Sequence, residues 1–196
     1  MRKNDPEGVR SRILDAAAEL FQDRGYSASG MQTIFEKAEV TSGAFYHHFE
    51  SKKHLGLAVI KERVAEAVQQ TWITPVVSAP SVIAGLKSVF RSIASALDAS
   101  RAVRGCPLNN LTLEMAYADS DFQELLEVIF ANWQRELEHL IKRDQKAGML
   151  SGVSPRGTAA FVIAVYSGAM AMSKVKQSSE PLRVCLTQLT ESLKAA

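Results

Sequence analysis

The segment TSGAFYHHFESKKHL, residues 41–55, concentrates much of the polar chemistry of the N-terminal third. Small residues come first: Thr41, Ser42, Gly43 and Ala44. Tyr46, His47 and His48 follow, and Lys52 and Lys53 come near its end with His54 behind them. Hydroxyls on small side chains reach base edges without blocking approach to a groove, and tyrosine, imidazole and lysine donate to phosphate oxygens. Two other chemistries use similar residues. Histidines can hold a metal or shuttle protons, but His47 and His48 point about 100° apart on a helix and no carboxylate pair or nucleophile accompanies them. A helical adaptor that docks protein in its grooves leaves the small residues and the lysines unexplained. The lysines stand where a helix begins, and acidic side chains there are normally favoured by about 0.3–1 kcal/mol. Either Lys52 and Lys53 are solvated surface, or an external anion such as a DNA phosphate balances them.

The elements that must position this segment are helices. Ser29-x-x-Gln32 reads as a capping box opening a short helix through Ala38. Thr41 or Ser42 caps the next, to about Phe49, and the turn around Glu39-Val40 gives helix-turn-helix spacing. Phe45 and Phe49 are spaced to face inward. A recognition helix enters the major groove by its N-terminal part, here the small residues. Ahead of this pair, Ile13, Leu14, Ala17, Leu20 and Phe21 recur at helical spacing up to Gly25. Behind it, Ser51 caps a long helix expected to stop before Pro75, and TPVVSAPS reads as a linker. Val82–Leu97 marks a fifth helix, and Cys106-Pro107 opens a sixth. Ser120-x-x-Gln123 reads as a second capping box, opening a seventh that Gly148 closes. Ser154-Pro155 opens an eighth, and a ninth runs from about Glu180 to Ala195. No period-2 strand and no internal repeat is visible, so the expected fold class is all-α.

Composition agrees with a folded chain whose basic surface is local. Apolar residues are 46% of its 196, and the net charge is only +2. Two cysteines far apart make neither a zinc pattern nor a disulfide framework. The polar N-terminus shows no signal peptide, and the longest apolar run, Ala159–Met172, is broken by Tyr166, Ser167 and Gly168. The expectation is a soluble cytoplasmic protein with no membrane partner, no cofactor and no metal.

Residues 29–55 resemble the DNA-binding signature of the TetR/AcrR family of one-component bacterial repressors. Ile34, Ala38, Val40, Gly43, Tyr46, His48, Phe49, Lys52 and Leu55 carry the resemblance. It implies three N-terminal helices on double-stranded operator DNA, a small-molecule effector among the later helices, and a homodimer. The domains are then 1–55 for DNA and 56–196 for effector and dimerisation. On this pattern Ser29, Thr41, Ser42, Gly43, Ala44, Tyr46, His47, Lys52 and Lys53 are the candidate DNA contacts. Three departures stand out. Glu39 replaces the usual turn glycine, Phe35 replaces the usual alanine, and Gly30 replaces a frequent threonine whose hydroxyl Ser29 can supply.

The resemblance also gives the later helices a task. Phe90, Met115, Tyr117, Phe130, Trp133 and Tyr166 are either core or the lining of an effector site. Asn109, Asn110 and Thr112 either supply polar contacts there or stabilise the sixth helix. Cys106 sits at or beside that helix's N-cap with Arg101 and Arg104 close in sequence, a setting that raises thiolate character. It is either an electrophile or oxidant sensor or a small buried residue, and Cys185 reads as packing. The candidate effector residues are Phe90, Cys106, Asn110, Met115, Phe130, Trp133 and Tyr166. The stripe Ala160, Ala164, Gly168 and Met172, with Leu182–Leu193 beyond, suits either an internal hairpin or an intersubunit bundle near 155–174 and 180–195.

Overall fold

The computed structural model describes residues 6–195, and among these there is no strand. Nine helices follow in order: α1 Pro6–Arg24, α2 Met31–Ala38, α3 Ser42–His48, α4 over 52–77, α5 Val82–Ala99, α6 Pro107–Met115, α7 Ser120–Lys146, α8 Pro155–Lys176 and α9 Glu180–Ala195. The all-α expectation holds. The chain packs as two units. The described residues through Glu66 join Pro107–Glu127 in the first; Ala67–Cys106 and the residues from Val128 onward form the second. Packing therefore divides later than residue 55, and it returns α6 and the start of α7 to the first unit.

Most helix starts follow from the sequence. The hydroxyls of Thr41, Ser51 and Ser154 accept the N–H groups of Ala44, His54 and Gly157, so α3, α4 and α8 are capped as expected. Neither proposed capping box forms. The residue before α2 is Gly30, which has no side chain to cap with, and Gln32 bonds Glu36 instead. At α7 the cap is Asp119 rather than Ser120: its carboxylate accepts the Asp121 N–H at 2.9 Å. The fourth helix also runs on through Pro75 to Val77. Two wide π-turns, Ile60–Val64 and Gln69–Ile73, interrupt it. The second immediately precedes Thr74 and bonds its N–H to Gln69 O, and a wider turn there eases the clash a proline ring makes with the preceding helical turn.

In the first unit Ile13, Leu14, Ala17, Leu20 and Phe21 of α1 bury against Ile34, Ala38, Phe45, Phe49, Leu55 and Val59. Arg10 grips Glu62 through two bonds of 2.6 Å and lies over the Phe49 ring. Gly56 marks a close approach. A Cβ there would lie 2.7 Å from the Tyr26 ring and 2.8 Å from the Phe122 ring, so α4 can approach the start of α7 only as glycine.

The second unit is built around large aromatics. Trp72, Phe90, Trp133 and Tyr166 are all buried. The buried Asp144 carboxylate accepts the Val82 N–H at 2.6 Å and pairs with Arg143, which fixes the start of α5. Gln177 ends α8 in the left-handed region at φ 50°, and its amide accepts from Val103 N–H and donates to Val103 O, strapping down the loop before Cys106. By length and composition alone α8 is apolar enough to cross a bilayer, contrary to the reading of its run as too broken. Its inner side carries the buried Thr158, Tyr166 and Ser173.

Candidate functional site

In the first unit α2 and α3 form a helix-turn-helix. Glu39 takes the left-handed conformation, φ 54° and ψ 49°, that glycine supplies at no cost. A side chain there costs about 1–2 kcal/mol. The turn is held because the N–H groups of Glu39 and Val40 return to Glu36 O and Phe35 O. Phe45 and Phe49 face inward as expected and are fully buried. Thr41, Ser42 and Gly43 are exposed and Ala44 is half-buried, so the small residues form the outward start of α3. A Cβ on Gly43 would meet nothing closer than the Thr41 Oγ1 at 4.0 Å.

Tyr46 is 55% exposed, and its ring is braced edge-on by Phe45 at 5.2 Å and Phe35 at 6.4 Å. The phenylalanine that departs from the usual alanine thus packs against both rings. His47 is exposed beside His48. Ser29 is a correction. It is completely buried, and its hydroxyl donates to Gly25 O at 2.6 Å, closing the end of α1. It has no path to a phosphate, and Gly30 offers no substitute.

The two lysines diverge. The Lys52 ammonium donates to Ser27 O at 3.2 Å and lies 4.6 Å over the Tyr26 ring. Burial pulls its pKa down, with Glu114 acting the other way. Glu114, from α6, accepts the N–H groups of Tyr26 and Ser27 at 2.8 and 2.6 Å. Burial pushes that carboxyl up, but those bonds and Lys52 outweigh it and leave it below its usual value. Lys53 is bound 2.7 Å from both Asp119 and Asp121, whose hydrogen bonds push its pKa up to about 12. The sequence reading placed both lysines at phosphate; the structure gives Lys53 two carboxylates of its own.

The candidate effector residues do not share one unit. Asn110 and Met115 lie in the first, where Asn110 donates to Gln22 and Met115 is buried. Thr112 bonds Leu108 O within its own helix, and Tyr117 is fully exposed and lines nothing. The second unit brings together Phe90, Trp133 and Tyr166 with Trp72, which sequence reasoning missed. Trp72 lies 4.6 Å from Tyr166, 4.8 Å from Trp133 and 5.5 Å from Phe90, centroid to centroid. Phe130 stacks outside on Trp133 at 6.4 Å. The indole N–H of Trp133 is buried without a hydrogen bond, while the Trp72 indole N–H lies by the Tyr166 hydroxyl and acts to lower its pKa. Burial, and then the neighbouring Cys106, raise the Tyr166 hydroxyl well above its usual pKa. Cys106 directly precedes α6, as Pro107 foretold, yet it is buried against Tyr166 while Arg101 and Arg104 are exposed. Cys185 is half-buried. Among the described residues no group of three or more His, Cys, Asp or Glu is placed to hold a metal.

Comparison with known proteins covers both units. Residues 13–59 match the family described as bacterial regulatory proteins, tetR family, and 82–188 match the LmrA/YxaF-like transcriptional regulator C-terminal domain. The HTH-type transcriptional repressor DhaR of Mycobacterium sp. (strain GP1) is 32% identical over 188 residues, 94% of this chain and 92% of that one. The HTH-type transcriptional repressor NemR of Escherichia coli (strain K12) is 22% identical over 96% of each chain. The crystal structure of the regulatory protein TetR from Rhodobacter sphaeroides superposes with a TM-score of 0.83 at 26% identity, covering 92% of this chain and 96% of that one.

Proposed function

Because this chain belongs to the tetR family of bacterial regulatory proteins, we propose that it is a repressor that grips a palindromic operator as a homodimer and is released by a small molecule. DNA-binding transcription regulation comes with the family, and the chain is a regulator rather than an enzyme. Repression, operator symmetry and effector release are our reading, and relatives named as repressors support the first of these. The observation that carries it is the outward start of α3. Thr41, Ser42 and Gly43 are exposed while Phe45 anchors the helix behind them. In this reading Ser42, Gly43 and Ala44 face base edges, and Thr41, Tyr46, His47 and Lys52 face phosphates.

A nuclease footprint tests this, with a two-fold inverted repeat as the expected protected site. Lys52→Ala and Tyr46→Phe should weaken binding to all sequences by similar factors, and Lys52→Ala should lower the salt slope by about 0.9. Ser42→Ala should instead shift base preference at one position of each half-site. An asymmetric footprint, or a changed preference in Lys52→Ala at unchanged affinity, would sink the assignment.

The effector in this reading is a mostly apolar or aromatic molecule taken up beside Trp72, Phe90, Phe130, Trp133 and Tyr166. Its coupling to DNA is expected at about 1–3 kcal/mol and must be reciprocal. Cys106 is a second trigger in this reading, for an electrophile or oxidant, on the strength of its place directly before α6, although its burial works against reactivity. Iodoacetamide is the probe: an S–C bond forms, iodide leaves, and the thiol proton passes to solvent. Alkylation of Cys106 is expected to release operator from the native protein and to leave Cys106→Ser bound. Operator retained after Cys106 has gained the adduct's mass would leave the aromatic site as the only trigger.

A further inference from the structure

We propose that Lys53 is a positioning residue rather than a DNA contact: with Asp119 and Asp121 it ties the start of α4 to the start of α7. The proposal rests on the DNA-binding role of α3 and deepens its regulation. Three observations carry it. The Lys53 ammonium is 2.7 Å from a carboxylate oxygen of each aspartate, so its position is fixed from two sides. The Asp119 carboxylate is itself pinned, since it also accepts the Asp121 N–H as the N-cap of α7. And two carboxylates around one ammonium leave the spot net negative, which repels phosphate instead of drawing it in.

The tie answers the oddity of two lysines at a helix start. Successive residues on a helix point about 100° apart. Lys52 turns towards the α1–α2 loop, where Ser27 O and the Tyr26 ring hold it, and Lys53 turns towards α7. One packs on the α1–α2 loop and the other ties the helix start to the start of α7. Glu114 of α6 holds the loop that Lys52 packs on, by accepting the Tyr26 and Ser27 N–H groups. Gly56, one turn further along α4, brings that helix against Phe122 in the first turn of α7. The start of α7 thus holds the start of α4 at two points, Lys53 and Gly56. Helix α7 is unbroken from Ser120 to Lys146 and carries Trp133 of the aromatic cluster further along.

The test compares the wild type with Lys53→Met, with Asp119→Asn plus Asp121→Asn, with all three changes, and with the swap Lys53→Glu, Asp119→Asn, Asp121→Lys. Asparagine at 119 keeps the cap. Each is measured against an operator duplex found by footprinting and a random duplex of equal length, over a KCl series. The readout is the ratio of the two dissociation constants, in which the general effect of changed charge cancels. The tie predicts that the ratio falls about ten-fold in Lys53→Met and in the double aspartate variant alike, no further in the triple, and returns in the swap. The salt slope on random DNA stays at the wild-type value in Lys53→Met. In the DNA-free proteins, amide exchange at 52–56 quickens by a few-fold in the same variants and slows again in the swap. A slope lowered by about 0.9 in Lys53→Met with an unchanged ratio would make Lys53 a phosphate contact and overturn the tie. An unchanged ratio in both single-sided variants, or a swap that binds worse than Lys53→Met, overturns it too. A wild type with no operator preference counts against the proposed function, and the exchange data then judge the tie alone.

Discussion

Gly43→Glu is expected to abolish operator binding by about 10³-fold or more while making the protein slightly more stable. The two effects have separate causes. Gly43 lies in the first turn of α3, exposed, and a Cβ there meets nothing within ordinary contact distance. Glycine in a helix costs about 0.8–1 kcal/mol relative to alanine, and an acidic side chain near a helix start gains about 0.3–1 kcal/mol more. Folding alone therefore favours glutamate at this position. A groove does not. The carboxylate would stand between α3 and the base edges and beside the phosphates, and like charges brought together cost several kcal/mol. Gly43→Ala separates size from charge: its melting temperature should also rise, and its operator affinity should fall only if the backbone itself must come close to the bases. Denaturation midpoints and fluorescence anisotropy on one preparation measure both. Operator binding at wild-type strength in Gly43→Glu would remove α3 from the DNA face.

Such opposed signs show what the sequence made legible. A glycine and small hydroxyls at the start of a helix, with Phe45 and Phe49 behind them, are local signals at fixed spacing. The caps at Thr41, Ser51 and Ser154 are equally local, and all three form. The misreadings had partners that no short window contains. Ser29 looks like a cap, but its hydroxyl turns back to Gly25 O at the end of the previous helix. Lys53 looks like a phosphate ligand because Asp119 and Asp121 lie far along the chain. Trp72 lies inside the expected fourth helix, but the rings that give it a role, Phe90, Trp133 and Tyr166, lie far along the chain. Asn110 and Met115 fall in the first unit, apart from the aromatic cluster, for a related reason. Helical periodicity shows that a face is apolar but not which unit it packs into, and α6 belongs with the first unit. Glu39 is the reverse case. The sequence names the strain, and the structure retains it at φ 54°.

Placing glutamates on the outer side of α8, in Gly168→Glu with Met172→Glu, is expected to give a folded monomer that has lost operator binding by about 10³-fold. The face is visible in the burial pattern. Phe161, Ala164, Gly168, Met172 and Val175 fall at three- and four-residue steps and are all exposed, with Val175 at 86%. Val184 of α9 is exposed as well. Isolated apolar side chains at a surface mean little, but a continuous stripe along one helix is a surface made to be covered. Its small residues allow a second helix to come near, and beside Gly168 there is open space for one. A second copy of this chain fits because a two-fold reader needs a two-fold interface, and in such an interface each substitution counts twice. Four carboxylates without partners would then be forced together at the axis, at a cost of several kcal/mol. The same side chains face outward in the protomer, so the fold itself should lose no more than about 0.5 kcal/mol per substitution. Sedimentation should show a monomer at micromolar concentration, and circular dichroism an unchanged helix content. Each monomer still carries α3 and so still binds a half-site, weakly and with a salt slope about half that of the dimer. A variant that sediments as a dimer would place the interface elsewhere. One that sediments as a monomer yet holds the full operator at wild-type affinity would instead refute reading by paired heads.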